Sequence, residues 1–269
     1  MINLDDLIEQ EIANGYGDAN ARAKVCQDLI LKAISTSPLS QNVTIKGGVV
    51  MRSKTKNIRR ATQDIDIDFI RYSLQDDSID RFINMLNCLD GIKFVRNGAI
   101  EALKQQDYKG KRIFIEISDS FGNRIPSKID LGVHTKLNIE QEEFCFDIAF
   151  DDEGASLLIN SNEQMFTEKL RSLLRFGAVS TRYKDIFDMY YLCKNLDKKR
   201  LFVCLETYIF KDEEMRENDI EGVLKRVRRT FEDKRYLERL NASDKKWIDI
   251  DALEVTKEIQ RFLEECKRI

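Results

Sequence analysis

The sequence predicts an α+β protein in which a mixed sheet with flanking helices is followed by an all-helical half. Three observations predict it. Between Val43 and Ile159 the chain carries short runs of alternating polar and apolar residues rich in Ile, Val and Phe, the pattern of half-buried strands. From Asn162 almost to the end, apolar residues recur instead at helical spacing. The period changes near residue 160, which divides the chain into a sheet-bearing domain over 1–160 and a helical domain over 161–269.

The first forty residues read as two helices leading into the sheet. The second runs from Asp18, as N-cap, to Ser35, with Val25, Leu29, Ile30 and Ala33 at helical spacing. Strands follow as DIDIDFI (64–70), IKFV (92–95), RIFIEIS (112–118), SKIDLGV (127–133) and FCFDIAF (144–150), with a helix over Asp80–Leu89 between the first two. The helical half reads as segments near 162–177, 183–195, 198–211, 218–232 and 251–267. Both prolines, Pro38 and Pro126, lie outside these segments.

Composition narrows the chemistry. A chain of 269 residues with 42% hydrophobic content can bury a core without staples. No stretch approaches the roughly 20 apolar residues of a membrane span, and the acidic, amphipathic start is unlike a signal sequence. A cytoplasmic location without membrane contact is expected. Cys26, Cys88, Cys145, Cys193, Cys204 and Cys266 are scattered beside apolar residues, as reduced, buried thiols would be. With His134 as the single histidine, neither a Cys/His zinc site nor a Ser–His–Asp triad is supported. Carboxylates, lysine and arginine remain. The net charge of −3 hides two basic clusters, one of Lys46, Arg52, Lys54, Lys56, Arg59 and Arg60, the other between Lys225 and Arg239.

The sharpest local feature is Lys46-Gly47-Gly48 followed, after a basic stretch, by Asp64-Ile65-Asp66-Ile67-Asp68. In a strand, residues two apart share a face, so the three aspartates would point one way and the isoleucines into the core. Two carboxylates about 4 Å apart repel by roughly 4 kcal/mol at an effective dielectric near 20, a cost that a shared divalent cation removes. The same alternation also suits the solvent face of an ordinary half-buried strand. The upstream glycines favour the metal: at a helix start they let backbone amides approach a triphosphate.

KGGVVMR, RATQDIDIDF, SKIDLGV and EKLRSLLRFGAVSTRYKDIFDMYYL, in this order over about residues 43 to 195, resemble the AbiEii/AbiGii family of toxin nucleotidyltransferases, of the polymerase-beta-like superfamily. The resemblance implies a polymerase-beta-like fold, with a C-terminal helical bundle after the mixed sheet. It implies that Gly47 and Gly48 contact the phosphates, with Lys46 and Thr62 in the same nucleotide-binding blocks. Asp64 and Asp66 would bind Mg²⁺, or Mn²⁺ in its place, with Asp68 ranked third. Asp130 of SKIDLGV would be the further metal-binding carboxylate that helps activate the attacking hydroxyl, with Glu116 of RIFIEIS as its rival.

In the helical half, Lys169 and Arg182 would be phosphate ligands, with Lys169 counted as catalytic. Asp185 and Asp188, on one helix face, would hold those cations or a nucleotide hydroxyl. A surface ion-pair lattice is the plainer reading of the same four residues. Two departures stand out. Val49 occupies a place where the family commonly has a small hydroxyl residue, and the basic segment RSKTKNIRR looks long, as a loop over the nucleotide would.

The chemistry implied is transfer of a nucleotide from an NTP, with two metals, to RNA and in particular a tRNA acceptor end, within a toxin–antitoxin or phage-defence system. A cognate antitoxin would be a partner. Two other readings share these residues: a small-molecule nucleotidyltransferase of the antibiotic-modifying kind, and a catalytically silent module that binds an antitoxin. A basic surface beside the site argues against the first, and intact Asp64, Asp66 and Asp130 argue against the second.

Overall fold

The computed structural model describes residues 1–103 and 110–267, and the chain divides into two compact units, Met1–Asn160 and Ser161–Ile269. The first unit opens with α1 (Leu4–Ala13) and α2 (Asp18–Thr36). Asp18 is not the N-cap of α2: Gly17 occupies that place in extended conformation, without a side-chain cap, and Asp18 lies in the first turn, where its charge suits the helix dipole.

Among the described residues, eight strands form one sheet: β1 (Val43–Lys46), β2 (Ile65–Phe69), β3 (Ile92–Arg96), β4 (Glu101–Ala102), β5 (Lys111–Asp119), β6 (Arg124–Val133), β7 (Glu142–Ile148) and β8 (Asp151–Ile159). Their order is β3-β5-β6-β2-β1-β8-β7, with β4 beside β5. The sheet is mixed, because β1 runs parallel to β8 and β2 parallel to β6 while the other pairs are antiparallel. One face of β2 and β6 is apolar: Ile65, Ile67, Phe69, Ile129 and Leu131 are buried, and Phe69 meets Phe82 edge-on at 5.1 Å between ring centroids.

Phe82 belongs to α4 (Asp76–Met85), which starts four residues before the expected Asp80 and has Asp76 and Asp77 in its first turn. Between β1 and β2 lie α3 (Gly47–Thr55), closed by Lys56 in left-handed conformation, and a 3₁₀ turn at Ile58–Arg60. The basic segment expected as a loop is therefore largely helical. Two of the expected buried thiols are exposed. Cys88 sits in the turns after α4, and Cys145 lies on the outward alternation of β7 with the exposed Glu143 and Asp147.

The second unit is helical: α5 (Asn162–Phe176), α6 (Tyr183–Leu192), α7 (Lys198–Leu205) continued by a π turn, α8 (Ile220–Phe231), α9 (Lys234–Asn241) and α10 (Ala252–Cys266). Ser161, Asp197, Asp219, Asp233 and Asp251 each cap a helix N-terminus through the side chain. Leu170, Phe187, Leu201, Val227, Tyr236, Ile259 and Leu263 are buried in it. No helix of the described residues is long and apolar enough to cross a membrane.

Candidate active site

Strand register assembles the site in the first unit. Lys46 of β1 lies opposite Asp66 of β2, Asp66 beside Asp130 of β6, and Asp130 opposite Arg112 of β5. Paired residues on neighbouring strands share a face, so Lys46, Asp66, Asp130 and Arg112 make one polar row across four strands. Asp68 lies one step along β2, between Thr44 and Gly132, and Asp64 immediately precedes the strand.

Three of these four carboxylates carry a cation of their own. Arg112 grips Asp130 through Nε and Nη2, each at 2.7 Å; Lys46 Nζ is 2.7 Å from Asp68 and Lys128 Nζ 2.8 Å from Asp64. Among the described residues no hydrogen-bond donor reaches Asp66. Desolvation lifts its carboxyl to about 6; the nearby Lys46 opposes the rise, while the charges of Asp130, Asp64 and Asp68 add to it.

Gly47 faces this carboxylate and Gly48 faces Thr62. Gly47 begins α3 with φ of 67°, in the region that favours glycine, and a Cβ there would come 2.3 Å from Asp66 Oδ2. At Gly48 a Cβ would come 2.7 Å from that of Thr62. The helix N-terminus, whose free amides favour an anion, thus lies directly against Asp66. Gly48→Ala should cost about 1–3 kcal/mol of stability by overpacking. Urea titration measures it, and Thr62→Gly in the same chain should return most of the loss; a Gly48→Ala chain as stable as the parent would contradict the contact.

Among the described residues no three acidic, histidine or cysteine groups form a preformed metal cage. The donor set nevertheless suits a hard cation. It offers carboxylate oxygens alone, and its central member, Asp66, is desolvated, with Lys46 opposing the like charges around it. Glu116 is not brought to the row: it pairs in register with Pro126, four residues or roughly 13 Å along β6 from Asp130, and meets Arg124 at 3.2 Å.

In the second unit Lys169 of α5 is buried, with Nζ 2.8 Å from both Asp185 and Asp188 of α6. Arg182 Nε also donates to Asp185, with 62% of its side chain exposed. Asp188 is fully buried and accepts from Trp247 Nε1 at 3.0 Å. Asp188 therefore positions Lys169 and has no exposed edge for a nucleotide hydroxyl. Arg112, Lys128 and Trp247 were missed in the sequence. The alternation of RIFIEIS and SKIDLGV holds the signal for the first two, but only the register shows which carboxylate each reaches.

The sequence profile described as nucleotidyl transferase AbiEii toxin of a type IV toxin–antitoxin system matches residues 29–267. A comparison with curated proteins gives no match. Among solved structures, this chain is similar to MenT4, a nucleotidyltransferase toxin from Mycobacterium tuberculosis, with a TM-score of 0.57 and 12% identity over 100% of this chain and 91% of that one. An antigenic nucleotidyltransferase-like protein from Paracoccidioides brasiliensis aligns with a TM-score of 0.47 and 13% identity, covering 86% of this chain and 96% of that one. The antibiotic-resistance factor ANT(2'')-Ia aligns with a TM-score of 0.43 and 15% identity, covering 69% and 90%. MenT4 shares the fold, and the profile spans most of both units. The mixed sheet with its flanking helices matches the nucleotidyltransferase-toxin fold, and the chain belongs to the AbiEii family of nucleotidyltransferase toxins, which are nucleotidyl-transfer enzymes.

Proposed function

We propose that this toxin transfers a nucleotide from an NTP to RNA, at a tRNA acceptor end, in a Mg²⁺-dependent reaction that arrests translation, with phage defence as its setting. The observation that carries the reading is the row Lys46–Asp66–Asp130–Arg112 with the N-terminus of α3 against Asp66. Asp64, Asp66 and Asp130 would hold Mg²⁺, or Mn²⁺ in its place. The ion would lower the pKa of the acceptor hydroxyl and neutralise the leaving pyrophosphate.

The chain's own residues do the rest by position and charge. Gly47 and Gly48 leave the first amides of α3 open to the phosphates, with Lys46 and Thr62 beside them. Lys169 and Arg182, held by Asp185 and Asp188, are the proposed phosphate ligands of the helical unit. For the acceptor, Lys225, Arg229, Lys234 and Arg235 on α8 and α9 are exposed, which favours a polyanion over a cationic small molecule. A cognate antitoxin completes the list of partners.

Purified protein incubated with total tRNA, Mg²⁺ and each labelled NTP in turn should label RNA, and an Asp64→Ala, Asp66→Ala chain should not. No label with any NTP, despite Mg²⁺-dependent nucleotide binding, would rule out the RNA acceptor and direct attention to small molecules or protein.

A further inference from the structure

Behind the carboxylate row lies a buried polar network that starts outside the span matched by the family profile, which begins at residue 29. Gln27 of α2 is 1% exposed. Its Nε2 donates to the carbonyl oxygens of Thr62, at 3.0 Å, and Asp64, at 3.3 Å, and its Oε1 accepts from Arg52 Nη1 of α3. Arg52 is itself buried and lies 3.6 Å from Asp28. Asp28 is tied in turn to Lys24 Nζ at 2.6 Å and to the backbone amide of Ala149 at 3.1 Å. Lys24 closes the chain at 3.2 Å from Glu11 of α1.

One amide therefore links three parts of the site. It holds the backbone of Thr62, whose side chain faces Gly48, and the backbone of Asp64, while its oxygen anchors the helix whose N-terminus abuts Asp66. A buried glutamine with its donor and its acceptor both engaged can adopt few other poses. The separation of α3 from the residues leading into β2 is thus set by a side chain of the helical lead-in.

The geometry points to Gln27 as a positioning residue that fixes Asp64 and Thr62 against the α3 N-terminus, so that the lead-in is part of the working site. This rests on the metal-binding reading above. Residues that orient metal ligands typically change metal affinity or activity about 10–100-fold when replaced, and Gln27 should fall in that range although it touches neither metal nor nucleotide.

The test uses the full chain with Gln27→Glu and, separately, Gln27→Leu. The Glu variant keeps the size of the side chain and an acceptor for Arg52, but turns the donor toward Thr62 and Asp64 into a carboxylate. Its added negative charge would by itself tighten cation binding, so weaker binding reports lost geometry. Calorimetric titration of Mn²⁺ with a non-hydrolysable NTP analogue present, without acceptor, gives the affinity, and circular dichroism gives the melting temperature. Both variants should bind Mn²⁺ at least tenfold more weakly, and Gln27→Glu should do so while still folded, with one cooperative melting transition above the temperature of the titration.

Parent-like Mn²⁺ affinity in either folded variant would overturn the inference. If Gln27→Leu fails to fold, Gln27→Glu decides. Asp66→Asn, run alongside, separates the two layers. If it too binds Mn²⁺ as the parent does, the metal reading itself fails; if it loses Mn²⁺ while the Gln27 variants keep it, only the role of Gln27 falls.

Discussion

Asp66→Asn should abolish nucleotide transfer and yet, in the absence of metal at pH 8, raise the melting temperature. The Asp66 carboxyl is lifted to about 6 by desolvation, against Lys46 and with its three aspartate neighbours. An ordinary aspartate titrates near 3.8. Below that value both folded and unfolded chains hold the proton. As pH rises from there to about 6, the unfolded chain releases it while the folded chain keeps it, so stability falls across this window and stays lower above it.

A shift of this size corresponds to about 3 kcal/mol, which asparagine would return by removing the charge. In a domain of this length that is several degrees. The same substitution deletes the central proposed metal ligand, and transfer should drop at least about a thousandfold, the scale on which one electrostatic catalytic group acts. Melting curves of parent and variant at pH 5 and pH 8 make the comparison. The gain should be full at pH 8 and about half as large at pH 5, midway through that window, and a variant less stable at pH 8 would show that the charge on Asp66 is satisfied inside the protein.

Lys169→Met should have the largest effect on stability, a loss of about 3–5 kcal/mol in urea unfolding, because it leaves two buried carboxylates without their shared cation. Desolvation works to raise the carboxyl of Asp185, but Lys169 and Arg182 outweigh it and hold the group well below the usual carboxylate range. A depressed carboxyl contributes stability that is present above the ordinary value and is lost only as pH falls through the folded one. The parent's advantage over the Lys169→Met chain should therefore be full near neutral pH and shrink in strong acid, where the parent loses this contribution and the variant's uncompensated carboxyl takes up a proton.

Arg182→Ala supplies the contrast. Its side chain is largely exposed, so its removal should cost about 1 kcal/mol or less. Equal losses for the two variants would contradict a buried, shared ammonium. Loss of transfer in a Lys169 variant is informative only at a temperature where that variant is folded.

The sheet, the helical unit and the residue types of the site were legible because each rests on local periodicity. Alternation gave Asp66 and Asp130 their faces, and Gly47-Gly48 marked the start of α3. What was not legible depends on partners distant in sequence. Arg112 reaches Asp130 because β5 and β6 pair in one register, and the choice between Asp130 and Glu116 turns on the same pairing.

Cys145 was misjudged because an apolar neighbourhood in sequence does not say which side of a strand faces out, and Cys88 because its apolar neighbours belong to the turns after α4 and not to a helix interior. The β8 strand DDEGASLLI was passed over because its first half is acidic and carries Gly154, whose φ of 72° accompanies a register irregularity in its partner strand. Helix α9 is eight residues long, shorter than the window in which a helical period stands out.

The sheet interleaves its strands, so neighbours in the row come from distant parts of the chain. Asp66 has its flank completed only when β6 arrives more than sixty residues later, and β1, which carries Lys46, gains its second neighbour only with β8. Such long-range pairings form slowly and together. A ribosome that has not yet delivered residues 124–133 has made the glycines and the first aspartates but no carboxylate row. On the proposed reading of that row, transfer activity is deferred by the chain's own topology: fragments released early carry the motifs without the assembled site.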